Sequence, residues 1–391
     1  MKKLLILLIC FAQIKCINAQ PSSIILSKNL NKIQLKSKLP GFSVAIIKND
    51  KVIFSDGFGF ADIKSKKPFT INTIQPVGSV SKTFIGFALL KAIDLGYFTL
   101  ETEINEILPF KIINPNIQTS NIKVKDLATH TSGIMDNQSV YLTTYSIGER
   151  PKEALSVFLK EYFCPTGKYY SKTNFADKES GKMYNYSNIA AALAAYLIEL
   201  KSNLAFDEFT KKHIFEPIGM NQSHWFFDQE KSKDYAILYE TNKKEIPEID
   251  HFLNYDGSVK TYSCITYPDG SLKTSVSDLS KYVLEMVKGL EGKSVLLSQN
   301  SYKSLFEKQF STQNMPSNMD EKETNRSIFW GYNRKGYLFH TGGDLGVSAF
   351  VRIHPETKDG LILIINTQLD EEKNVESFKK IVAEIERFNV D

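Results

Sequence analysis

The sequence predicts an α+β fold in which both ends of the chain form one antiparallel sheet beside an inserted, mostly helical region. Strand-like runs at hairpin spacing occur within about residues 20–98 and 266–391, whereas 99–265 contains helix-like segments and polar loops. Strands and helices that are segregated along the chain are typical of α+β domains. We therefore expect one domain over 20–391, with helices flanking the sheet.

Residues 1–19 have the pattern of a secretory signal peptide. Two lysines precede an apolar run over 4–11, and Ala19 offers a cleavage position. The apolar run is shorter than the roughly 20 residues that span a bilayer. We therefore predict an exported protein, periplasmic or secreted, with no stable membrane span.

Composition argues against several classes of function. The chain has 48 basic and 44 acidic residues, a formal net charge of +4, and removal of the leader lowers that charge to about +1. A nearly neutral chain gives no electrostatic case for nucleic-acid binding. Its histidines and cysteines follow no metal-binding spacing, so we expect neither a metal nor a cofactor. Cys164 and Cys264 would remain after export, and their pairing is left open.

The first elements follow from apolar spacing and turn residues. Residues 21–39 have amphipathic spacing and predict a helix, which a Pro-Gly pair ends. Two β-rich runs, at 42–47 and 51–55, flank Asn49-Asp50. That arrangement predicts a β-hairpin.

The most informative stretch is the one that contains Ser79 and Lys82. A serine and a lysine three residues apart on the first turn of a helix face the same way. The following run to Gly96 is apolar on nearly all sides, which is typical of a buried helix. The same spacing recurs twice in polar surroundings, where we interpret it as structural: Ser120/Lys123 and Ser377/Lys380.

The inserted region is predicted to contain three helices, at 152–163, 187–200 and 206–216. The polar and aromatic segment 168–185, between the first two helices, is interpreted as an exposed loop. Residues 311–327, beyond the insertion, are also polar, and we interpret them as a mobile loop.

The far end of the chain returns to strand-like sequence. Three short runs, at 336–340, 347–354 and 360–366, lie at hairpin spacing and predict antiparallel strands. Residues 371–388 close the chain as an amphipathic helix.

Two further spots combine chemically with Ser79. A serine hydroxyl is a weak nucleophile that needs a neighbouring base or a field that stabilises its alkoxide. Lys82 can supply that field or accept the proton, and Tyr186 can act as a base where a cation stabilises its phenolate. Backbone N–H groups at the helix start and in the glycine-rich stretch after His340 can hold an oxyanion.

Three ordered motifs resemble those of the serine β-lactamase and penicillin-binding-protein superfamily. They are Ser79-Val80-Ser81-Lys82, Tyr186-Ser187-Asn188 and His340-Thr341-Gly342. The resemblance is to the class C branch, with its DD-peptidase, D-aminopeptidase and esterase relatives, and implies a β-lactamase/transpeptidase-like fold. Four supporting segments agree with it: 40–45, 126–133, 217–220 and 346–348.

The resemblance implies the catalytic roles residue by residue. Ser79 would be the acylated nucleophile, and Lys82 with Tyr186 would transfer the protons. Backbone N–H groups of Ser79 and Gly343 would form the oxyanion hole. Asn188 would hydrogen-bond the substrate amide.

The same resemblance makes His340 and Thr341 substrate-binding residues. His340 stands where many relatives carry lysine. A largely neutral imidazole attracts a substrate carboxylate less than a permanent ammonium does. This departure weakens the case for β-lactamase activity itself.

A second departure is the length of chain before the tyrosine motif. Relatives usually have Pro-Gly only a few residues ahead, whereas Pro165-Thr166-Gly167 stands well before Tyr186. The extra segment 168–185 is expected near the site, where it could reshape the substrate pocket. His130 is expected to lie in a turn that braces the site.

The sequence therefore favours an exported serine hydrolase that acts through an acyl-enzyme on Ser79. Its substrate would be a small molecule or peptide with an amide or ester bond: a β-lactam, a D-Ala-D-Ala-type or other peptidoglycan-derived peptide, or an ester. The alternative is a penicillin-binding or sensor protein that keeps the fold without turnover. An α/β-hydrolase is disfavoured because the nearest Gly-x-Ser-x-Gly candidate, at 346–350, lacks its last glycine.

Overall fold

The structure is a computed structural model, and it describes residues 21–118, 121–240 and 247–388. The predicted signal peptide, 1–19, lies outside the described residues and stays a prediction.

Two further features of the described chain concern possible membrane spans and the cysteines. No single helix there combines the length and apolar character needed to cross a bilayer, although Asn188–Ser202 and Phe206–Ile218 meet both criteria when counted together across a 79° bend. Cys164 and Cys264, whose pairing the sequence left open, are both free thiols.

Six of the described helices lie in the inserted region, and one lies at each end of the described chain. Serine side chains cap three of them: Ser187, Ser275 and Ser298 each accept a backbone N–H of the following turn. The described residues form eleven α-helices: α1 Pro21–Lys36, α2 Ser81–Asp94, α3 Val124–Ala128, α4 Gln138–Leu142, α5 Leu155–Phe163, α6 Asn188–Ser202, α7 Phe206–Thr210, α8 Glu216–Ile218, α9 Val276–Leu290, α10 Gln299–Phe306 and α11 Glu372–Phe388.

Strands lie mainly in the two parts of the chain where they were expected. The predicted first hairpin is confirmed, because Lys48 pairs with Lys51 and Asn49 takes φ 57° in the turn. The described residues form twelve strands: β1 Gly41–Lys48, β2 Lys51–Asp62, β3 Lys67–Pro68, β4 Gln75–Pro76, β5 Tyr145–Ile147, β6 Tyr262–Cys264, β7 Lys273–Thr274, β8 Glu323–Ser327, β9 Trp330–Asn333, β10 Leu338–Asp344, β11 Val347–Ile353 and β12 Gly360–Ile365.

Eight of these strands form one antiparallel sheet, in the order β3-β2-β1-β12-β11-β10-β9-β8. The first strand of the chain pairs with the last, with Val44 opposite Leu363. The predicted α+β fold, with an antiparallel sheet made by both chain ends and flanked by helices, is therefore confirmed.

Apolar layers cover both faces of the sheet, and the side chains of β1 pack into both layers. Phe42, Val44 and Ile46 belong to the apolar cluster under α1 and α11, which we call the outer face. Ala45 and Ile47 belong to the larger core around α2. Successive side chains of a strand point to opposite faces, so a strand of apolar residues fits between two layers.

Helix α2 is buried on nearly all sides, as its composition predicted. The Phe84 ring stacks on Tyr282 of α9, with 4.0 Å between ring centroids. Gly86 lies against the backbone of Ile328, where a Cβ would come within 2.5 Å of the carbonyl oxygen. These contacts fix the depth of α2, and therefore of Lys82 in its first turn, beneath the sheet.

One predicted strand and one predicted loop differ in extent from the observed elements. The strand predicted over 51–55 continues to Asp62, because β2 remains paired with β1 as far as Gly59 opposite Gly41. Residues 311–327 are not all loop, since their last five residues form β8 and pair with β9.

The segment 168–185 was predicted to be exposed, and its centre is instead buried. Asn174 is fully buried and donates from Nδ2 to the carbonyl oxygens of Tyr162 and Tyr169. The neighbouring Phe175 packs on Phe163 of α5, with 6.0 Å between ring centroids. These contacts anchor the segment to the helical layer.

Candidate active site

Ser79 lies where the start of α2 crosses beneath strand β10. It belongs to a short 3₁₀ turn just before the helix, not to the first helical turn as predicted. A Cβ on Gly342 would meet the Val77 carbonyl oxygen at 1.9 Å, and one on Gly78 would meet the Gly343 nitrogen at 2.7 Å. Only glycine allows this approach, which places the backbones of residues 77–78, directly before Ser79, against those of 342–343.

Lys82 connects three parts of the site. Its side chain is fully buried, and Nζ donates to Ser79 Oγ at 3.1 Å, to Asn188 Oδ1 at 2.7 Å and to the Asp269 carbonyl oxygen at 2.7 Å. These three contacts hold the lysine nitrogen against the serine hydroxyl.

Tyr186 completes the wall beside this lysine. Lys82 Nζ lies 5.0 Å from the centre of the Tyr186 ring, and the ring centroid of His340 lies 6.3 Å from that of Tyr186. The phenolic oxygen is buried and has no hydrogen-bond partner among the described residues. It is therefore available to a reacting group that enters beside Ser79.

His340 presents an acceptor to the site, not a positive charge. Its Nδ1 donates to the Thr341 carbonyl oxygen at 2.7 Å, so Nε2 carries the lone pair, and Nε2 is buried without a partner in the described chain. Burial first, and then the positive charges of Lys82 and Arg326, lower the pKa of His340 to about 3. The imidazole is neutral at physiological pH.

Asn188 is held by a carboxylate that the sequence reasoning missed. Asp136 accepts the backbone N–H of Asn188 at 2.8 Å, the N–H of Ile189 at 3.1 Å and the hydroxyl of Ser187 at 2.6 Å. An anion at a helix N-terminus satisfies free N–H groups and interacts well with the helix dipole. Asp136 thus fixes the start of α6, from which Asn188 reaches Lys82.

His130 braces the tyrosine motif, as expected. It takes φ 58°, and its Nδ1 accepts the backbone N–H of Ser187 at 3.2 Å. Its ring lies 4.4 Å from the Tyr186 ring between centroids. Burial and the nearby cations hold the pKa of His130 well below its usual value, so it packs as a neutral ring.

A cavity of about 380 Å³ opens beside Ser79, and we call it the polar cavity. It brings together predicted site residues from the turn before α2, from β10 and from the tyrosine motif with residues that the sequence did not single out. Its lining is Ser79, Tyr184, Tyr186, Asp320, Glu323, Arg326, Phe339, His340, Thr341 and Gly343.

Two segments far apart in sequence form the wall of this cavity together. The Tyr184 N–H donates to the Ser317 carbonyl oxygen at 2.8 Å, and the Ser317 N–H donates to the Lys182 carbonyl oxygen at 2.9 Å. The extra segment 168–185 therefore pairs with the segment 311–327 and carries Tyr184 to the cavity.

A family model described as Beta-lactamase matches residues 26–383. The chain belongs to the Beta-lactamase family. The polar cavity beside Ser79 accordingly sits in a fold whose members are generally serine hydrolases.

Solved structures show the same fold. The octameric penicillin-binding protein homologue from Pyrococcus abyssi superposes with a TM-score of 0.68 at 22% identity, over 92% of this chain and 76% of that one. A class C beta-lactamase superposes with a TM-score of 0.68 at 19% identity, over 92% and 96%. The Beta-Lactamase/D-Alanine Carboxypeptidase from Pseudomonas syringae gives 0.68 at 17% identity, over 93% and 99%.

Sequence relatives are distant. Protein flp of Staphylococcus aureus strain MW2 is 24% identical over 333 residues, which are 85% of this chain and 60% of that protein. A Beta-lactamase of Yersinia enterocolitica is 28% identical over 228 residues, 58% of this chain and 53% of that protein. The chain thus spans about 60% of the length of Protein flp.

Arg326 is a second site residue of this family member that sequence reasoning missed. It is only 2% exposed, pairs through Nη1 with Glu323, and stacks its guanidinium over Tyr184 at 5.3 Å. Gly331 leaves room for the pair, because a Cβ there would lie 3.0 Å from Arg326 Nη1. One signal was present: an arginine stands two residues before the apolar run that begins at Ile328.

Asp269 is a third residue that was missed, and it lies beneath Lys82. Its carboxylate accepts the Tyr141 hydroxyl at 2.9 Å, and it is almost fully buried. Burial raises the pKa of Asp269 to about 7, although the Lys82 charge opposes the rise. A second buried ionisable group therefore adjoins the catalytic candidate lysine.

Proposed function

We propose that this Beta-lactamase-family chain is an exported serine hydrolase that cleaves an amide or ester through an acyl-enzyme on Ser79. One observation carries the proposal most directly: a fully buried lysine donates to a half-buried serine hydroxyl at 3.1 Å, next to a cavity large enough for substrate. A structural serine–lysine contact has no need of that cavity.

In the proposed mechanism, Ser79 Oγ attacks the acyl carbon. The serine proton passes to the Lys82–Tyr186 pair, since Lys82 contacts the hydroxyl and Tyr186 lines the same cavity. The carbonyl oxygen becomes an oxyanion and is held by the backbone N–H groups of Ser79 and Gly343. The bond to the leaving group then breaks, and the amine or alcohol departs with the proton that the pair returns.

Water completes the cycle by attacking the acyl-enzyme. It gives a proton to the same pair, and the ester bond to Ser79 breaks to regenerate the hydroxyl. Asn188 would orient the acyl amide where the substrate has one. It also holds Lys82 in place through a 2.7 Å hydrogen bond.

The experiment that tests this function follows covalent adducts by intact-protein mass spectrometry. Purified protein is mixed separately with a fluorophosphonate and with a penicillin, and Ser79→Ala serves as the comparison. A hydrolase forms the fluorophosphonate adduct on Ser79, and it forms and then releases any acyl adduct. A penicillin adduct that never leaves would support the penicillin-binding alternative, and absence of all labelling would refute the mechanism.

A substrate panel then narrows the reaction. Nitrocefin, a D-Ala-D-Ala peptide and p-nitrophenyl esters represent β-lactam, peptide and ester donors. The protein is expected to turn over at least one of them in a Ser79-dependent way. Export is tested separately by sequencing the N-terminus of protein recovered outside the cytoplasm, where loss of the leader is the expected result.

A further inference from the structure

A second cavity lies on the outer face of strand β10, directly across the strand from the polar cavity. Its volume is about 360 Å³, and its walls are mainly apolar, so we call it the apolar pocket. Thr341 and Gly343 line both cavities. The apolar walls come from neighbouring strands, the loop after β12, and α11: Val347, Ala349, Phe350, Leu363, Ile365, Leu369 and Phe378.

Strand register places this pocket on the outer face. Phe350 pairs with Thr341 on one side and with Leu363 on the other. Directly opposed residues of adjacent strands share a face of the sheet, and Leu363 belongs to the outer-face cluster under α1 and α11. The apolar pocket is therefore a gap in that cover at the end of the sheet nearest Ser79.

The strand edge between the two cavities is open. In the described part of the chain, β10 pairs with β9 only at Leu338 and Phe339. The following residues, Thr341 to Gly343, pair with β11 alone. An extended substrate that lies along such an edge places successive substituents on opposite faces, so one substituent enters the polar cavity and the next enters the apolar pocket.

Charge around the cleft disfavours a carboxylate on the substrate. The charged side chains that line the polar cavity are Asp320, Glu323 and Arg326, and the arginine is paired with Glu323. His340 is neutral, as its buried position requires. Asp370 adds a carboxylate at the rim of the apolar pocket.

We propose that the apolar pocket is a subsite for an uncharged aliphatic or aromatic substituent beside the scissile bond. This inference rests on the proposed hydrolase function and narrows its substrates. Preferred acyl donors are uncharged esters or amides with an apolar group, in preference to D-alanyl peptides that end in a carboxylate. The chemistry is unchanged: the substituent enters the pocket while Ser79 Oγ bonds to the acyl carbon and the leaving group departs.

The test measures covalent labelling of Ser79, which needs no turnover. A series of p-nitrophenyl alkylphosphonates of increasing chain length is compared by the second-order rate of p-nitrophenol release and by mass. Ethyl-to-butyl extension adds two methylene groups, and their burial should raise the labelling rate about tenfold. An equally long phosphonate that ends in a carboxylate should react about tenfold more slowly than its uncharged analogue.

Two variants alter the pocket in opposite ways. Leu369→Trp fills it and should remove the rate advantage of the butyl reagent over the methyl reagent. Leu369→Asn makes the wall polar and should reduce the chain-length effect to about threefold. Ile33→Asn is the matched control, because Ile33 packs against the same outer-face cluster but does not line the pocket.

The possible outcomes distinguish failure of the subsite from failure of the proposed hydrolase function. Failure of every phosphonate to label Ser79 would reject the proposed function, and the subsite with it. Labelling at a rate independent of chain length would reject the subsite alone. An equal loss of chain-length selectivity in Ile33→Asn and Leu369→Asn would also reject it, because the effect would then be one of general packing.

Discussion

The described residues include two buried lysines, Lys82 and Lys273, whose surroundings differ. Lys82 is fully buried and donates to the Ser79 hydroxyl, the Asn188 side chain and the Asp269 carbonyl oxygen. Lys273 is 6% exposed, and its only hydrogen-bond acceptors among the described residues are two backbone carbonyl oxygens, at 3.1 and 3.2 Å from Nζ. Both pay the desolvation cost of an ammonium, but only one touches a group that can react.

The difference shows that burial of a lysine is poor evidence for catalysis. Backbone carbonyl oxygens cannot lose a proton or become nucleophiles, so the contacts of Lys273 can only hold the chain together. The Ser79 hydroxyl can react, and it lines the polar cavity. Catalytic potential therefore depends on what the ammonium contacts and on whether that contact is open to substrate.

The largest effect is expected from changing Ser79, the reactive residue that Lys82 contacts. Ser79→Ala should abolish the covalent adduct and lower kcat/KM by about 10⁴-fold or more, because no nucleophile remains. The adduct mass and the steady-state rates measure this. Ser377→Ala is the matched control, since Ser377 has the same spacing from Lys380 but lies on α11. Near-normal hydrolysis by Ser79→Ala would end the acyl-enzyme proposal.

Changing each lysine to methionine should have very different effects on the acylation rate. Lys82→Met should lower the acylation rate by about 10³-fold with a folded far-UV spectrum, because the proton acceptor and the field at Ser79 are lost. Lys273→Met should change the acylation rate less than about threefold. Stopped-flow labelling measures both rates. Equal losses of acylation in folded variants would mean that the distinction between their contacts has no functional meaning.

Tyr186→Phe tests whether the phenol takes part in proton transfer together with Lys82. The ring and its packing on His130 remain, so the fold should survive, while acylation slows by about 10²-fold through loss of one proton-transfer group. The pH dependence of the labelling rate should change as well. An unaltered rate and pH profile would leave Lys82 as the sole proton acceptor.

How much of this could be predicted depends on whether a feature is local in sequence. The Ser79–Lys82 contact follows from helical spacing, and the buried helix after it follows from composition. The β1–β2 hairpin follows from the Asn49 turn, which takes the positive φ that such turns need. Each of these signals is complete within a few residues of chain.

The features that escaped prediction depend on long-range contacts. Asp136 acts through a helix start about 50 residues later, and nothing near it in sequence marks that partner. The positions of Asp269 and Arg326 also depend on distant partners. Asp269 contacts Lys82 and Tyr141, and Arg326 lies over the Tyr184 ring. Strand β8 was hidden because its polar residues, Glu323 to Ser327, owe their order to pairing with β9.

The last expected effect is a pH dependence of stability that comes from Lys273. Burial lowers the pKa of Lys273 from its ordinary 10.5 to about 8, against the attraction of Asp344. Between these values the unfolded chain binds a proton that the folded protein does not, so the free energy of unfolding rises with pH. The whole shift corresponds to about 3 kcal/mol.

Denaturant unfolding of the wild type and of Lys273→Met, below pH 8 and near pH 10, measures this rise. Groups common to both proteins cancel in the difference, which should grow in favour of the wild type as pH increases. A constant difference would mean that Lys273 keeps its proton throughout, and that two carbonyl oxygens and a nearby carboxylate suffice to hold a buried ammonium. The contrast with Lys82 would then rest on the reactive hydroxyl alone.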